Sequence, residues 1–256
     1  EENAMQKGPL DTSLSLALAA TIADFDLSSV GPGPVAKAKA CLLDFLSCAF
    51  EARDLAWSRQ ARAVAGGRGQ AHILGTAETA TFGDAAFANA VMGHGLVRED
   101  MHAASISHHG VVVWPVLIAL AERGPVSGAR LLAAAILGYE VGCRVGRVLF
   151  DKDLARLFRP TGLNGPLGAG AGGAHLLGMD APRIASALAL AANAAGGLNQ
   201  WPRSGASDMY FHPGNAARGA VTAVLLAEQG AYGSRDILEG EAGLFEAFAR
   251  RGAPAT

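Results

Sequence analysis

The feature that most constrains the fold of this chain is a helical repeat of small apolar side chains. Apolar residues recur with spacings of three and four over 14–25 and again over 35–49, which places them on one face of a helix. Half of the residues are apolar but only 6% are aromatic, and alanine dominates the remainder. This composition favours closely packed helices over strands rich in valine, tyrosine and threonine. The sequence therefore predicts an all-α fold.

The same pattern predicts further helices, separated by turns that contain glycine or proline. We expect them at about 83–97, 110–122, 127–150, 164–177, 180–196, 214–229 and 234–250. The weak strand candidate is AHILGT at 71–76. With no repeat and no linker in view, residues 11–256 are expected to form a single helical domain. Residues 1–10 are expected to be a tag or a disordered N-terminus, with Met5 as the native start.

Charge, hydropathy and cysteine usage exclude several classes of protein. The formal net charge is −2 and the basic residues are not clustered, so nucleic acid is not an expected partner. No apolar run reaches the roughly 20 residues of a membrane span, and the acidic opening EENAM is unlike a signal peptide. Cys41, Cys48 and Cys143 lack CxxC spacing, which predicts buried free thiols and a cytoplasmic location.

Gly168, Gly170 and Gly173 match the spacing of the dinucleotide-binding fingerprint. That fingerprint requires a strand before the first glycine and an acidic residue after a second strand. Here PTGLNGPL precedes it and helices follow. The glycines are therefore interpreted as contacts that let one helix approach another closely, and no cofactor is expected.

The segment HGLVREDMHAASISHHG (94–110) holds four of the seven histidines of the chain together with Glu99 and Asp100. His94 lies on the apolar face of the helix predicted at 83–97, where it is either a packed core residue or a functional one. Glu99, Asp100 and His102 follow in a loop, which is either reactive or a solvated turn. Metal-binding spacings such as HExxH are absent, and we expect no metal ion.

Three predicted helix starts carry polar groups. His108 and His109 precede an apolar helix, with Ser107 as its expected cap, and the positive helix end would keep an imidazole neutral and suited to act as a base. Arg159 and Thr161 precede the next such start, and His212 precedes the third. Helix N-termini and a guanidinium bind carboxylates; the structural alternative is that these residues are only caps and a surface arginine.

Several long stretches together resemble the MmgE/PrpD family, which includes 2-methylcitrate dehydratase, cis-aconitate decarboxylase and iminodisuccinate epimerase. The stretches are AAFANAVMGHGL (85–96), HHG (108–110), GYEVGCRVG (138–146), FRPTGLNGPLGAGAGGAHLLGMD (158–180) and FHPGNAARGAVTAVLLAEQGAYGSRDILEGEAGLF (211–245). The resemblance implies an all-α domain followed by a smaller α/β lid, frequent homodimers, and proton transfer beside a carboxylate without metal or cofactor. It also implies that 94–110 is the active-site loop and that His108 is the catalytic histidine.

The chain departs from the family pattern at several positions. Val97 and Met101 replace an aspartate and a threonine, while Asp100 and His102 match. Arg159 replaces a histidine, and Met209, beside Tyr210, replaces a lysine. The lid would begin after Thr256, so we expect a helical domain without it. These changes make the pocket less suited to a polyanion, because its charges would be left unpaired.

The resulting hypothesis is a lyase or isomerase that moves a proton beside a carbonyl or carboxylate, giving dehydration, isomerisation, decarboxylation or cyclisation. Its substrate is expected to be larger or less charged than citrate derivatives and to belong to a biosynthetic pathway. His108 is expected to act as base or acid with Asp100 and His102. The substrate is expected to contact Arg159, Thr161, Met209, Tyr210 and His212. The alternatives are a non-catalytic partner subunit or half of a split enzyme, and a small-molecule binding protein.

Overall fold

The computed structural model describes residues 13–250. Within them the chain forms twelve α-helices and one two-stranded antiparallel sheet, which confirms the predicted all-α fold. The prediction for residues 1–10 lies outside the described residues. The helices are α1 (Leu14–Ala23), α2 (Pro32–Ala52), α3 (Ala56–Ala65), α4 (Phe82–Gly93), α5 (Gly110–Ala121), α6 (Gly128–Leu149), α7 (Lys152–Leu157), α8 (Pro160–Leu176), α9 (Ala181–Ala192), α10 (Trp201–Ser204), α11 (His212–Glu228) and α12 (Leu244–Ala249).

Helix α8 forms the centre of the core, because it is buried along almost its whole length and packs against α5, α6, α9 and α11. Its glycines are needed for this packing. A Cβ atom on Gly168 would lie 2.5 Å from the carbonyl oxygen of Gly138 on α6, and one on Gly172 would lie 2.6 Å from that of Ala134. Both distances are shorter than any contact that a real side chain makes. The interpretation of this glycine run as a close helix–helix contact is therefore confirmed.

Helix boundaries differ from the sequence-based prediction where proline or turn chemistry intervenes. Helix α8 begins at Pro160 rather than at 164, because proline at the first helical position needs no N–H partner and Arg159 serves as the N-cap. The helix predicted at 234–250 is reduced to α12, preceded by turns. Strand β1 (Ala71–His72) covers only the start of the predicted segment 71–76 and pairs with β2 (Thr79–Ala80). Helices α3, α7 and α10 were not predicted.

Two further expectations concern cysteines and membrane association. Cys41, Cys48 and Cys143 are all free thiols, and the first two are buried while the third is half-buried. Among residues 13–250 no helix has the length and apolar character that crossing a membrane requires.

Candidate active site

Residues 94–109 connect α4 to α5 and fold back on themselves. His94 is the C-cap of α4, and Val97 and Ile106 have φ angles of 52° and 53° in the left-handed region. A positive φ is unusual for a β-branched residue such as isoleucine. A backbone bridge between His102 and Ser107 stabilises the turn that contains Ile106. The loop therefore presents its polar side chains to the N-terminal ends of neighbouring helices.

Three buried side chains of this loop form what we call the His94–Glu99–His108 cluster. Glu99 Oε1 is hydrogen-bonded to His94 Nδ1 and lies 3.1 Å from His108 Nδ1. The main-chain oxygen of Asp100 also lies 3.1 Å from His108 Nδ1. His94 and Glu99 are 0% and 5% exposed, and His108 is 9% exposed. A buried carboxylate thus accepts hydrogen bonds from two imidazoles.

The partners of the two imidazoles fix the position of their protons. Arg159 Nη2 lies 3.1 Å from His94 Nε2, and since a guanidinium can only donate, that nitrogen must accept. His94 is therefore neutral, with its proton on Nδ1, and burial lowers its pKa. His108 Nδ1 faces only acceptors, Glu99 and a carbonyl, so it also carries a proton. In the neutral ring, His108 Nε2 then holds a free lone pair.

Glu99 remains ionised within the cluster. Burial raises the pKa of its carboxyl group, but hydrogen bonds from His108 and His94 outweigh this effect and lower the pKa to about 2. Such a result is expected for a carboxylate that accepts several hydrogen bonds in a site of low dielectric constant. The cluster therefore contains a permanent negative charge beside His108.

The start of α8 supplies two residues to the cluster. Arg159 contacts His94, and burial lowers the pKa of its guanidinium while Glu99 raises it. Thr161 Oγ1 accepts a hydrogen bond of 3.1 Å from the main-chain N–H of His108. The side chain of Thr161 therefore holds the backbone of the loop, whereas Arg159 lies within the polar site.

His212, at the start of α11, lies beside Arg159. A Cβ atom on Gly197 would be 3.2 Å from His212 Nδ1 and 3.4 Å from the Cβ atom of Arg159. Burial lowers the pKa of His212, and the charge of Arg159 lowers it further. The N-terminal ends of α8 and α11 thus meet at one place, and their dipoles favour negative charge there.

Three buried polar atoms at this place have no hydrogen-bond partner among the described residues. They are Glu99 Oε2, Arg159 Nε and His212 Nδ1. Buried polar atoms in folded proteins are almost always hydrogen-bonded to protein, water or ligand. These three atoms can therefore bond to water or to the polar groups of a ligand.

Aromatic side chains lie next to the polar groups. The rings of Trp57 and Tyr210 stack at 3.8 Å, and the Trp57 indole donates to the carbonyl of Gly95, next to His94, at 3.1 Å. The guanidinium of Arg159 lies 5.9 Å from the ring of Trp201. Met209 is 5% exposed, in a turn before α11. Aromatic rings thus border the polar site, and among the described residues the guanidinium that contacts it is that of Arg159.

Two sequence-predicted residues face another region. The carboxylate of Asp100 accepts hydrogen bonds from the Tyr139 hydroxyl and from the N–H of Gly110. His102 Nδ1 lies 2.8 Å from Ser105 Oγ. Both residues line a cavity between α2 and α6, and neither side chain is hydrogen-bonded to His108. Asp100 reaches His108 only through its main-chain oxygen.

Sequence reasoning left His94 and Glu99 undecided, and it did not consider Trp57, Trp201 or Tyr139. The spacing of five residues between His94 and Glu99 carries no helical signal, because they meet only through the left-handed turn at Val97. The prediction that Ser107 caps α5 is wrong. Its hydroxyl donates to the carbonyl of Ser105 and accepts from Asn164, while His109 is the N-cap residue.

The ligand atoms of His94, Glu99 and His108 lie within 4.8 Å of one another, as they would around a metal ion. However, both Nδ1 atoms carry protons that donate to Glu99, and His94 Nε2 is taken by Arg159. A cation here would have to displace these protons next to a guanidinium. The geometry fits a hydrogen-bonded proton relay better than a metal site.

Comparison with known proteins places these residues in context. Residues 16–255 match the family model of the MmgE/PrpD N-terminal domain. The chain is 29% identical over 220 residues to a cis-aconitate decarboxylase-like protein of Aspergillus oryzae, covering 82% of this chain and 45% of that protein. It is 30% identical over 219 residues to the cis-aconitate decarboxylase of Aspergillus terreus, with 82% and 44% covered.

The human cis-aconitate decarboxylase is 38% identical over 175 residues, which cover 64% of this chain and 34% of that protein. The chain therefore spans less than half the length of the curated relatives that it matches. The matched region includes the loop and the helix starts described above.

Proposed function

Because this chain belongs to the MmgE/PrpD family, we propose that it provides the proton-transfer site of a lyase or isomerase acting beside a carbonyl or carboxylate group. The names of its relatives indicate lyases. Dehydration, isomerisation, decarboxylation and cyclisation all begin with, or end on, such a proton transfer. The observation that carries the proposal is that His108 Nδ1 faces two acceptors and therefore carries a proton, next to an ionised and buried Glu99.

His108 Nε2 is the proposed base. When it takes a proton from carbon the ring becomes an imidazolium, and the Glu99 carboxylate 3.1 Å from Nδ1 stabilises that charge. This is the role that a buried carboxylate has beside a catalytic histidine in hydrolases. When the reaction calls for an acid, the same proton returns from Nε2 to the product or to the leaving group.

Arg159 and His212 are proposed to bind the carboxylate or carbonyl of the substrate. Among the described residues, Arg159 Nε and His212 Nδ1 are buried without partners, and they lie at the N-terminal ends of α8 and α11. Negative charge that develops on a substrate oxygen as the proton leaves would be stabilised there. Thr161, through its bond to the main chain of His108, is proposed to position the base rather than to touch the substrate.

The proposed substrate carries less negative charge than a tricarboxylate. Among the described residues one guanidinium contacts the cluster, and the stacked Trp57 and Tyr210 lie beside it, with the buried Met209 next to Tyr210 in the turn before α11. Desolvating three carboxylates against these groups would leave charges unpaired, which is costly. A monocarboxylate or a monoester with an apolar or unsaturated chain suits the site better.

The resemblance to the family adds two features to the proposal, a reaction that needs no cofactor or metal and a homodimer, and the cysteine usage adds a cytoplasmic location. The dimer is tested by light scattering coupled to size-exclusion chromatography. A monomer at micromolar concentration would contradict that part of the proposal and leave the chemistry of His108 untouched.

The activity is tested by proton exchange, which does not require the reaction outcome to be known. The purified chain is incubated in D₂O with cis-aconitate and with unsaturated or hydroxylated monocarboxylates, and carbon-bound deuterium is followed by NMR. We expect exchange or turnover with at least one substrate and a loss of at least tenfold in His108→Ala, since a positioned base contributes about 10²–10⁴ in rate.

The matched control is His72→Gln, because His72 is exposed on β1, away from the cluster. It should retain full activity. If His108→Ala, shown by circular dichroism to be folded, is as active as the wild type, His108 is not the base.

A further inference from the structure

The cavity that receives Asp100 and His102 contains groups that the proposed reaction does not use. It has a volume of about 340 Å³ and lies between α2, α6 and the loop 94–109. Neither Glu99 nor His108 lines it. The side chains that do include two imidazoles (His102, His109), two thiols (Cys41, Cys143), a phenol (Tyr139) and a carboxylate (Asp100).

Within this cavity, we propose that His102, His109 and Cys143 form a binding site for a soft divalent metal ion, for which Zn²⁺ is the natural candidate. One nitrogen of each imidazole and the Cys143 sulfur lie within 4.8 Å of one another. In a tetrahedral zinc site with nitrogen and sulfur ligands, such atoms are roughly 3.3–3.8 Å apart. Side-chain rotations that bring these atoms about an ångström closer to one another would therefore complete the site.

The hydrogen bonds of Ser105 prepare both imidazoles for this role. Ser105 Oγ donates to the main-chain oxygen of His102 at 3.4 Å, so its two lone pairs can accept from His102 Nδ1 at 2.8 Å and His109 Nε2 at 3.1 Å. Each ring then keeps a lone pair on its other nitrogen. Metal-binding histidines commonly have their second ring nitrogen held by a neighbouring oxygen in this way.

His109 gives an independent indication that a ligand is missing. Its side chain is 1% exposed, and Nδ1 has no hydrogen-bond partner among the described residues. A buried ring nitrogen without a partner is costly. A cation bound at Nδ1 would supply the missing partner.

The charges that line the cavity also favour a cation. The carboxylates of Glu140 and Asp100 line it together with Cys143, against one ammonium group, that of Lys37. Their negative charge stabilises a divalent ion, which would displace the thiol proton on binding. The fourth coordination position would face the cavity, as it does in zinc sites that are not fully enclosed by protein.

Cobalt(II) is the appropriate probe, because thiolate coordination gives it an intense near-ultraviolet absorption. The reduced chain is stripped with a chelator and titrated with Co²⁺ and then with Zn²⁺. We expect one equivalent of Co²⁺ to produce the thiolate absorption and one equivalent of Zn²⁺ to remove it. Cys143→Ser should abolish the absorption, and His102→Ala should weaken binding at least tenfold.

The control is Cys48→Ser, since Cys48 is a buried thiol that does not line the cavity. It should bind Co²⁺ like the wild type, and circular dichroism verifies that each variant is folded. Absence of the thiolate absorption at stoichiometric Co²⁺, or its persistence in Cys143→Ser, would overturn the site. These readouts do not depend on activity, so the outcome is separate from that for His108.

Discussion

Glu99 connects the electrostatics of the site to its chemistry at the scale of single residues. It is surrounded by His94, His108 and Arg159, and its charge is maintained by hydrogen bonds rather than by solvent. A buried charge of this kind costs free energy unless every partner is present. The positions of the protons on both histidines therefore depend on this carboxylate. Glu99 and the buried His109 each give one prediction.

The first is that Glu99→Gln reduces the rate of carbon–proton exchange at least tenfold while His108 is still in place. The neutral amide cannot stabilise the imidazolium that forms when His108 accepts a proton. The measurement is the NMR exchange assay. Glu51→Gln, which removes an exposed carboxylate, is the matched control and should leave the rate unchanged. Equal rates for Glu99→Gln and wild type would show that the charge has no part in the reaction.

The second prediction concerns the pH dependence of stability. The pKa of His109 is lowered by burial from 6.5 to about 3, so below pH 6.5 the unfolded chain binds a proton that the folded chain does not. The contribution of His109 to the free energy of unfolding therefore falls as pH decreases, by about 1.4 kcal/mol per pH unit near pH 5. Urea unfolding at pH 7, 6 and 5 measures it.

The comparison for this pH prediction uses two variants. His109→Asn removes the titrating group and should flatten the dependence by about one proton, whereas His72→Gln should not, since His72 is exposed. An unchanged slope in His109→Asn would mean that His109 becomes protonated within the folded protein.

At the scale of elements, the sequence predicted most of the long helices, because apolar periodicity and turn residues are local signals. It failed where a local signal has two meanings. The sequence predicts a break at Pro160, although this residue opens α8. Residues 234–250 have helical spacing, but the part before α12 forms turns that are hydrogen-bonded to Ser13 and Ser15. For the site, the helix starts were predictable, whereas the pairing of Glu99 with two imidazoles depends on loop backbone angles that no periodicity encodes.

The contact between α6 and α8 gives a third prediction. Gly168→Ala should lower the free energy of unfolding by about 1–3 kcal/mol or more, because its methyl group would overlap the Gly138 carbonyl. Gly128→Ala, on the first turn of α6 with open space around it, should change stability by less than about 1 kcal/mol. Denaturant unfolding measures both. Equal effects would mean that the two helices can separate at little cost.

At the scale of the whole molecule, the first and last parts of the described chain are joined by one carboxylate. Glu239 accepts hydrogen bonds from the hydroxyls of Ser13 and Ser15 and from the backbone N–H of Ser15. Ser15 Oγ in turn accepts from the N–H of Leu238 at 3.1 Å. The contact spans more than two hundred residues of sequence. These hydrogen bonds attach the start of α1 to the turns before α12.

A fourth prediction is that Glu239→Ala destabilises the protein by about 1–3 kcal/mol, because it leaves buried donors without an acceptor. Burial raises the pKa of Glu239, but hydrogen bonds from Ser13 and Ser15 outweigh it and lower the pKa. The contribution is therefore present above pH 4.5 and is lost at lower pH. Glu241→Gln, at an exposed position, is the control for the thermal unfolding measurement. An effect equal to that of Glu241→Gln would show that the two segments are held by packing alone.

Asp100 connects the His94–Glu99–His108 cluster with the cavity between α2 and α6. Its carbonyl oxygen accepts a hydrogen bond from Nδ1 of His108, and its carboxylate accepts one from the Tyr139 hydroxyl. Laboratory evolution for a new substrate range should therefore yield beneficial changes along α2 and α6, behind the loop, as well as in front of it. A library confined to the residues nearest the substrate would miss the positions that hold this carbonyl oxygen against the base.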